Sequence, residues 1–386
     1  MARIFRPTLL DVFDITNLEL GTCFFMYGIV AMVSYFVGGP LADRFSLRRL
    51  MALALLLTSC GGFIMAAFPV RSTLFFLYPY WGFTTIFLFW AALIKATREW
   101  GGDGFQGRAY GWLEGGRGFV AASIGMFTWF LFSFSGIEAH DGKMDESFRL
   151  VITTASLLTL LAAFLVFRFI PDAIITDDHD TKMPGFEVIR KIMSMRVVWL
   201  QAFIIICAYV GYKVTDDISL YADQVLGKDQ VTSAAIGTFI LWLRPMFAII
   251  AGIMADRLQP VRIISICFLL IVIGGIIVWS GAVSHLYGVT LLTFAFTVSG
   301  VYGLRGIYFA VMKGSGIPLK ATGTAVGIMS VVGYTPDVFM SPLMGYLLDN
   351  NPGEAGHQYV FLVLSIFAAV GFLVSMILGY VLKEIC

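Results

Sequence analysis

Eleven apolar runs, at roughly 21–40, 50–69, 73–96, 109–133, 150–170, 197–221, 232–254, 262–282, 287–312, 321–347 and 359–381, follow one another along the chain. Each matches the ~20 residues that a helix needs to cross the hydrocarbon core of a bilayer. Inside lipid a segment has to satisfy its own backbone N–H and C=O groups, so runs of this length predict helices and not open sheets. With 59% hydrophobic and only 13% charged residues, polar surface is too scarce to cover a water-soluble globule. The sequence therefore predicts an all-α integral membrane protein.

One loop between two of these runs occurs twice. Gly39-Pro-Leu-Ala-Asp43-Arg44, with Arg49 five residues on, reappears as Gly252-Ile-Met-Ala-Asp256-Arg257, with Arg262 at the same offset. A tight loop between spanning helices favours a small residue where the helix ends meet, a carboxylate at the next helix N-terminus and arginines kept in water. A second echo pairs Arg108-Ala-Tyr-Gly111-Trp-Leu-Glu-Gly115 with Lys320-Ala-Thr-Gly323-Thr-Ala-Val-Gly327. Glycines four apart line one helix face and suit close helix packing. Both echoes have a spacing of about half the chain, which predicts two halves related by direct repetition.

The repeated Gly-x-x-x-Asp-Arg loop resembles the signature that follows the second helix of each half in the major facilitator superfamily, and the resemblance extends over essentially the whole chain. It implies the major facilitator fold, two helical bundles related by a pseudo-twofold axis along the membrane normal. Eleven runs do not divide evenly, and the repeat spacing shows why. The counterpart of the 197–221 run falls mostly before Met1, so residues 1–9 are expected to be the outer end of a first helix. On this reading the natural chain has twelve spans and Met1 is an internal methionine or a misplaced start. The expected divisions are an N-terminal transmembrane bundle over 1–170, a polar cytoplasmic linker over 171–196 and a six-helix bundle over 197–386. Within the linker, 186–196 is amphipathic and is expected to lie in the interface.

Loop charge orients the chain. Arg44, Arg48, Arg49, Arg98, Arg108, Lys182, Arg190, Lys191, Arg196, Arg257, Arg262, Lys313, Lys320 and Lys383 fall on one side, which the positive-inside tendency makes cytoplasmic together with the C-terminus. The opposite loops hold few basic residues. The expected location is the inner (cytoplasmic) membrane, multi-pass.

A charge in hydrocarbon costs about 2.5–3.5 kcal/mol on insertion scales, so charges within spans should face a cavity or a partner. The runs at 50–69, 150–170, 262–282 and 359–381 hold none deeper than their ends. In the superfamily's helix order these are the four helices that face lipid. Glu114 and Arg117 share one face of the fifth helix, Arg244 lies on the eighth and Arg305 on the tenth, the three arginines at similar depth. A guanidinium binds carboxylate or phosphate bidentately and stays protonated, so an anionic solute is one reading of them; a structural ion pair such as Arg117 with Glu114 is the other. Lys213 on the seventh helix can reach Asp216 or Asp217 one turn on. Asp337 follows Pro336, whose missing amide N–H breaks the helix ladder. Glu114, Asp216, Asp217 and Asp337 are the candidates for carrying a proton.

Phe5-Arg6-Pro7, Glu114-Gly-Gly-Arg117-Gly and the Arg305…Pro336-Asp337 region look similar to bacterial permeases near the organophosphate/anion antiporter branch. That resemblance implies solute binding between the halves, alternating access by rocking, and Arg6 as a further anion ligand. Trp112-Leu-Glu-Gly-Gly-Arg117 departs from the antiporters' Trp-Asn-x-x-His-Asn stretch, which counts against phosphate exchange and leaves a proton-coupled porter open. The substrate-binding candidates are thus Arg6, Arg117, Arg244, Arg305 and Lys213. Gly39, Asp43, Arg44, Arg49, Gly252, Asp256, Arg257 and Arg262 are expected to gate the cytoplasmic ends.

A net charge of +1 gives no basic excess for a nucleic-acid partner. Cys23, Cys60, Cys207, Cys267 and Cys386 fit neither a metal site nor a disulfide framework, and no cofactor is expected. No nucleophile–base arrangement lies within a span, which argues against an enzyme. The leading reading is a monomeric secondary transporter of a small organic anion, driven by protons or by exchange for a counter-anion. Efflux of neutral or cationic compounds and a transporter-like sensor are the alternatives.

Overall fold

The computed structural model describes residues 3–44, 46–68, 70–90, 92, 93, 96, 106–137, 144–171, 186–309, 311 and 322–385. Among these residues the secondary structure is helix and turn without strand. In chain order the helices are α1 (Arg6–Phe13), α2 (Asn17–Arg44), α3 (Leu47–Ala66), α4 (Leu74–Gly82) continuing into a π-helix (Phe83–Trp90), α5 (Gln106–Ile137), α6 (Met144–Phe169) and α7 (Phe186–Met193). They continue as α8 (Arg196–Val214), α9 (Ile218–Gln224), α10 (Gln230–Arg257), α11 (Pro260–Trp279), α12 (Tyr287–Ile307), α13 (Thr322–Gly333), α14 (Pro336–Asn350) and α15 (Glu354–Ile385). Nine stretches among the described residues are long and apolar enough to cross a membrane.

Side-chain caps fix several helix starts. Thr16 and Glu19 form a reciprocal capping box at α2: Thr16 N–H donates to Glu19 Oε2 at 3.0 Å and Glu19 N–H to Thr16 Oγ1 at 3.1 Å. Ser46 accepts from Arg49 N–H at the start of α3. Asp229 accepts from Thr232 N–H at 3.0 Å and from its hydroxyl at 2.6 Å at the start of α10.

Three expected spans are interrupted. In 73–96, Pro79 sits inside α4 and the chain then widens into the π-helix, a geometry that recurs at functional sites. In 197–221, α8 ends at Val214, Thr215–Asp217 form a turn and α9 follows. Thr and Asp compete with helix by bonding nearby backbone, and Thr215 Oγ1 does so by donating to Tyr212 O at 2.7 Å. In 321–347 the turn Tyr334–Thr335 separates α13 from α14, which opens on Pro336, a residue suited to the first helical position. The amphipathic stretch 186–196 is α7 followed by the Ser194–Met195 turn, with α8 starting at Arg196.

Contacts divide the chain into two compact units, neither continuous in sequence. The first holds Met1–Ile175, Asp216–Leu241 and Asp337–Asp349; the second holds Thr176–Thr215, Trp242–Pro336 and Asn350–Cys386. Two of the crossings fall at the turns just described, 215/216 and 336/337. A third falls at Leu241, four residues before Pro245 inside α10, the spacing at which a proline removes a helical hydrogen bond. In the first unit α3 packs on α6 and α2 on α4; in the second α11 packs on α15 and α12, and α8 on α15 and α13. Burial within the spans is uneven: 22% of the window is buried in the Asp145–Phe169 span against 67% in Arg196–Gln224. That ordering agrees with the absence of deep charge in the former and the charge cluster in the latter.

Candidate functional site

In the second unit the side chains gather around two tyrosines of α8. The Arg305 guanidinium carbon lies 3.9 Å from the Tyr212 ring centroid and 5.4 Å from that of Tyr209. Arg244, from α10, lies 5.7 Å from the same Tyr212 ring. Tyr209 and Tyr212, three apart on one helix face, touch at 5.4 Å, and Tyr209 meets Tyr334 at 4.9 Å. The Tyr334 hydroxyl pairs with that of Tyr308 at 3.2 Å, and Tyr308 O accepts from Gln201 Nε2 at 2.7 Å. The cluster thus joins α8, α10, the C-terminal end of α12 and the 334–335 turn. Two cations share one ring, so their separation cannot exceed the two ring distances laid end to end. At an effective dielectric constant of ~20 and ~8 Å, like charges repel by about 2 kcal/mol, and a ring's quadrupole attracts a cation without cancelling its charge. Lys213, next along α8, is 5% exposed.

In the first unit Arg117 places its guanidinium 4.9 Å from the Trp90 ring at the end of the π-helix. The side chain of Glu114, its expected partner, lies outside the described residues. Arg6 is buried and gives both Nε and Nη2 to Asn17 Oδ1, at 3.2 and 2.9 Å. Asp349 of α14 accepts from Asn17 N–H and Nδ2, each at 3.1 Å, and from Leu18 N–H at 2.6 Å, so a carboxylate from late in the chain covers the start of α2. Arg3 forms an ion pair with Asp216 at 2.5 Å. Thr8 donates to Gln230 Oε1 at 2.7 Å, and Gln230 donates to Asp11 Oδ2. Burial pushes the Asp11 carboxyl up, with the Gln230 hydrogen bond opposing.

The α2–α14 approach is made possible by glycine. A Cβ on Gly21 would stand 2.5 Å from Ser341 O, and one on Gly28 2.8 Å from the Asp337 carbonyl. At Gly115 and Gly252, where close packing was expected, a Cβ would meet nothing within 4 Å among the described residues. Asp337, in the first turn of α14, is half-buried; Asp216 and Asp217 are buried. Arg49, Arg257 and Arg262 are exposed. Gly39, Asp43 and Arg44 belong to α2, but the side chains of 36–45 and of Asp256 lie outside the described residues. Tyr80 and Trp81 donate to Leu57 O and Thr58 O of α3 at 2.6 and 3.2 Å.

The structure therefore brings together Arg244 and Arg305, gives Asp216 the unforeseen partner Arg3, and sets Arg6 against Asn17. Tyr209, Tyr212, Asn17 and Asp349 were not singled out from the sequence. Tyr-x-x-Tyr-Lys on a span, one face carrying two polar-tipped rings, was the available signal for the first two. Nothing local marks Asn17 or Asp349, which are more than three hundred residues apart.

The family model described as Major Facilitator Superfamily matches residues 1–336. The inner membrane protein YqcE of Escherichia coli (strain K12) is 26% identical over 371 residues, covering 93% of this chain and 85% of YqcE. The solved structure of a D-xylose-proton symporter superposes with a TM-score of 0.77 at 15% identity, covering 98% of this chain and 92% of that one. A bacterial homolog of the human lysosomal transporter Spinster gives 0.73 at 12% identity, covering 100% and 93%.

Proposed function

Because this chain belongs to the major facilitator superfamily, we propose that it is a multi-pass inner-membrane secondary transporter that moves a small organic anion by alternating access. The carrying observation is the pair Arg244 and Arg305 over the single ring of Tyr212. Two guanidiniums held by aromatic faces keep their charge, and planar N–H donors suit a carboxylate or phosphate. Within the first unit Arg117 over Trp90 is a candidate anion ligand of the same kind, and in the second Lys213 adds a further positive charge beside Tyr212. Arg6, occupied with Asn17, takes a smaller part in binding.

Coupling falls to carboxylates at backbone interruptions. Asp216 and Asp217 lie in the α8–α9 turn and Asp337 is the second residue of α14, just past the α13–α14 turn, so a change in their protonation acts where the chain passes between its compact units; Glu114 is the fourth candidate. Gly39, Asp43, Arg44 and Arg49, with Gly252, Asp256, Arg257 and Arg262, latch the cytoplasmic ends, and the C-terminus is cytoplasmic. Protein reconstituted in liposomes and offered organic acids, sugar phosphates, neutral sugars and organic cations, with and without a proton gradient, is expected to accumulate an acid or a phosphate ester. Uptake confined to neutral or cationic solutes would overturn the anion reading, and gradient-independent accumulation would remove the proton.

A further inference from the structure

We infer that the elbow between α7 and α8 is a binding surface for anionic lipid headgroups. Three cations, Arg190, Lys191 and Arg196, fall within seven residues and are all exposed. None of their side chains is in a hydrogen bond or ion pair with a described residue. Basic side chains in a last helical turn often fold back onto the free carbonyls; here those carbonyls are already taken. Ser194 N–H donates to Arg190 O at 3.1 Å, Ser194 Oγ to Lys191 O at 2.7 Å, and the Trp199 indole N–H to Met193 O at 2.7 Å.

The last bond ties the end of α7 to the first turn of α8 and fixes the elbow. Ile192 is buried beneath it, and α7 packs on α8 and α13. Met193 and Trp199 stay exposed beside the cations. Arg196 opens a membrane-spanning stretch, so Trp199, one turn in, stands at the depth where indoles mark the bilayer interface. Apolar side chains at that depth with three cations beside them match acyl chain and phosphate in order. Clustered Lys and Arg at the start of a span attract acidic headgroups, with about fivefold in affinity for each charge.

The test is native mass spectrometry of the purified full-length protein titrated with phosphatidylglycerol or phosphatidylcholine. The wild type is expected to retain phosphatidylglycerol preferentially, and the Arg190→Gln, Lys191→Gln, Arg196→Gln triple variant to lose that preference by on the order of a hundredfold. Arg190→Lys with Arg196→Lys keeps the charge and should keep the preference, which separates binding from misfolding should the triple variant fail to fold. Equal retention of both lipids by the wild type overturns the proposal, as does an unchanged preference in the triple variant. Soluble glycerol phosphate competing as well as the lipid would show a free-anion site and overturn it too.

Discussion

The first residues of the chain and the Tyr212 cluster hold their arginines in different ways. At the start of the chain Arg3 meets the Asp216 carboxylate and Arg6 meets an amide that is itself bonded to the Asp349 carboxylate. In the second unit Arg244 and Arg305 stand over rings. A carboxylate neutralises a cation and fixes its geometry, whereas a ring contact orients a guanidinium without itself cancelling the charge. Under the proposed function, the comparison divides the arginines into those that hold the fold and those presented to a ligand. The partner, more than the depth, tells them apart.

The largest effect expected from this division is on transport. Arg305→Gln removes a charge-assisted bond to the solute, worth about 1.5–3 kcal/mol, so the apparent affinity for the transported anion should fall roughly 10- to 100-fold with little change in melting temperature. Arg305→Lys keeps the charge but loses the flat face over Tyr212 and should fall between. Uptake kinetics and thermal melts on the same preparations check this. If Arg305→Gln chiefly unfolds the protein and spares affinity, the ring-held arginine belongs with the structural ones and the comparison breaks.

The sequence shows these roles unevenly. The class of fold was legible because apolar run length and the repeated Gly39 and Gly252 loops are local signals, each complete within a few dozen residues. Charge in a span likewise singled out Arg117, Arg244 and Arg305 as candidates without structure. Partner choice was not legible, because it depends on which segments lie side by side. Spacing along one helix offered Asp216 or Asp217 to Lys213, but no spacing rule could offer Arg3, which bonds Asp216 from 213 residues away. Glycine shows the same limit: Gly115 sits in a repeated motif yet a Cβ there would meet nothing within 4 Å among the described residues, while Gly21 and Gly28, in no motif, are where α14 touches α2. The helix break at Thr215–Asp217 had a readable cause in residues that compete for backbone bonds, but the apolar run around it concealed the interruption.

The carboxylate-held side of the comparison is sharpened by exchanging charges. Arg3→Ala or Asp216→Ala removes a partly buried, charge-assisted bond and should cost about 2 kcal/mol, read as a lower melting temperature. The double exchange, Arg3→Asp with Asp216→Arg, restores an ion pair and should recover most of that loss. A neutral partner at either position cannot do so. A double variant no more stable than the sum of its single changes would mean that Arg3 and Asp216 contribute independently, and the pair would no longer stand as the counter-example to Arg305.

The smallest effect concerns a carboxylate outside the spans that meets no arginine in its hydrogen bonds. The Thr232 hydroxyl, with backbone N–H groups helping, holds the Asp229 carboxyl below its ordinary value at the start of α10. A depressed folded-state value means that the ionised form is the stabilising one. Its contribution is present above the unfolded-state value near 4 and is lost as pH falls through the folded-state value. Asp229 is mostly exposed, so solvent screening trims the usual N-cap contribution to about 1 kcal/mol or less. Asp229→Ala should therefore melt slightly below the wild type at pH 7, and the gap should close as the pH drops below about 4. A gap that persists unchanged at pH 3 would assign the effect to the hydrogen bonds of the neutral side chain. A carboxylate can then hold a helix end here without its charge, which would weaken the role given above to the Asp349 charge at α2.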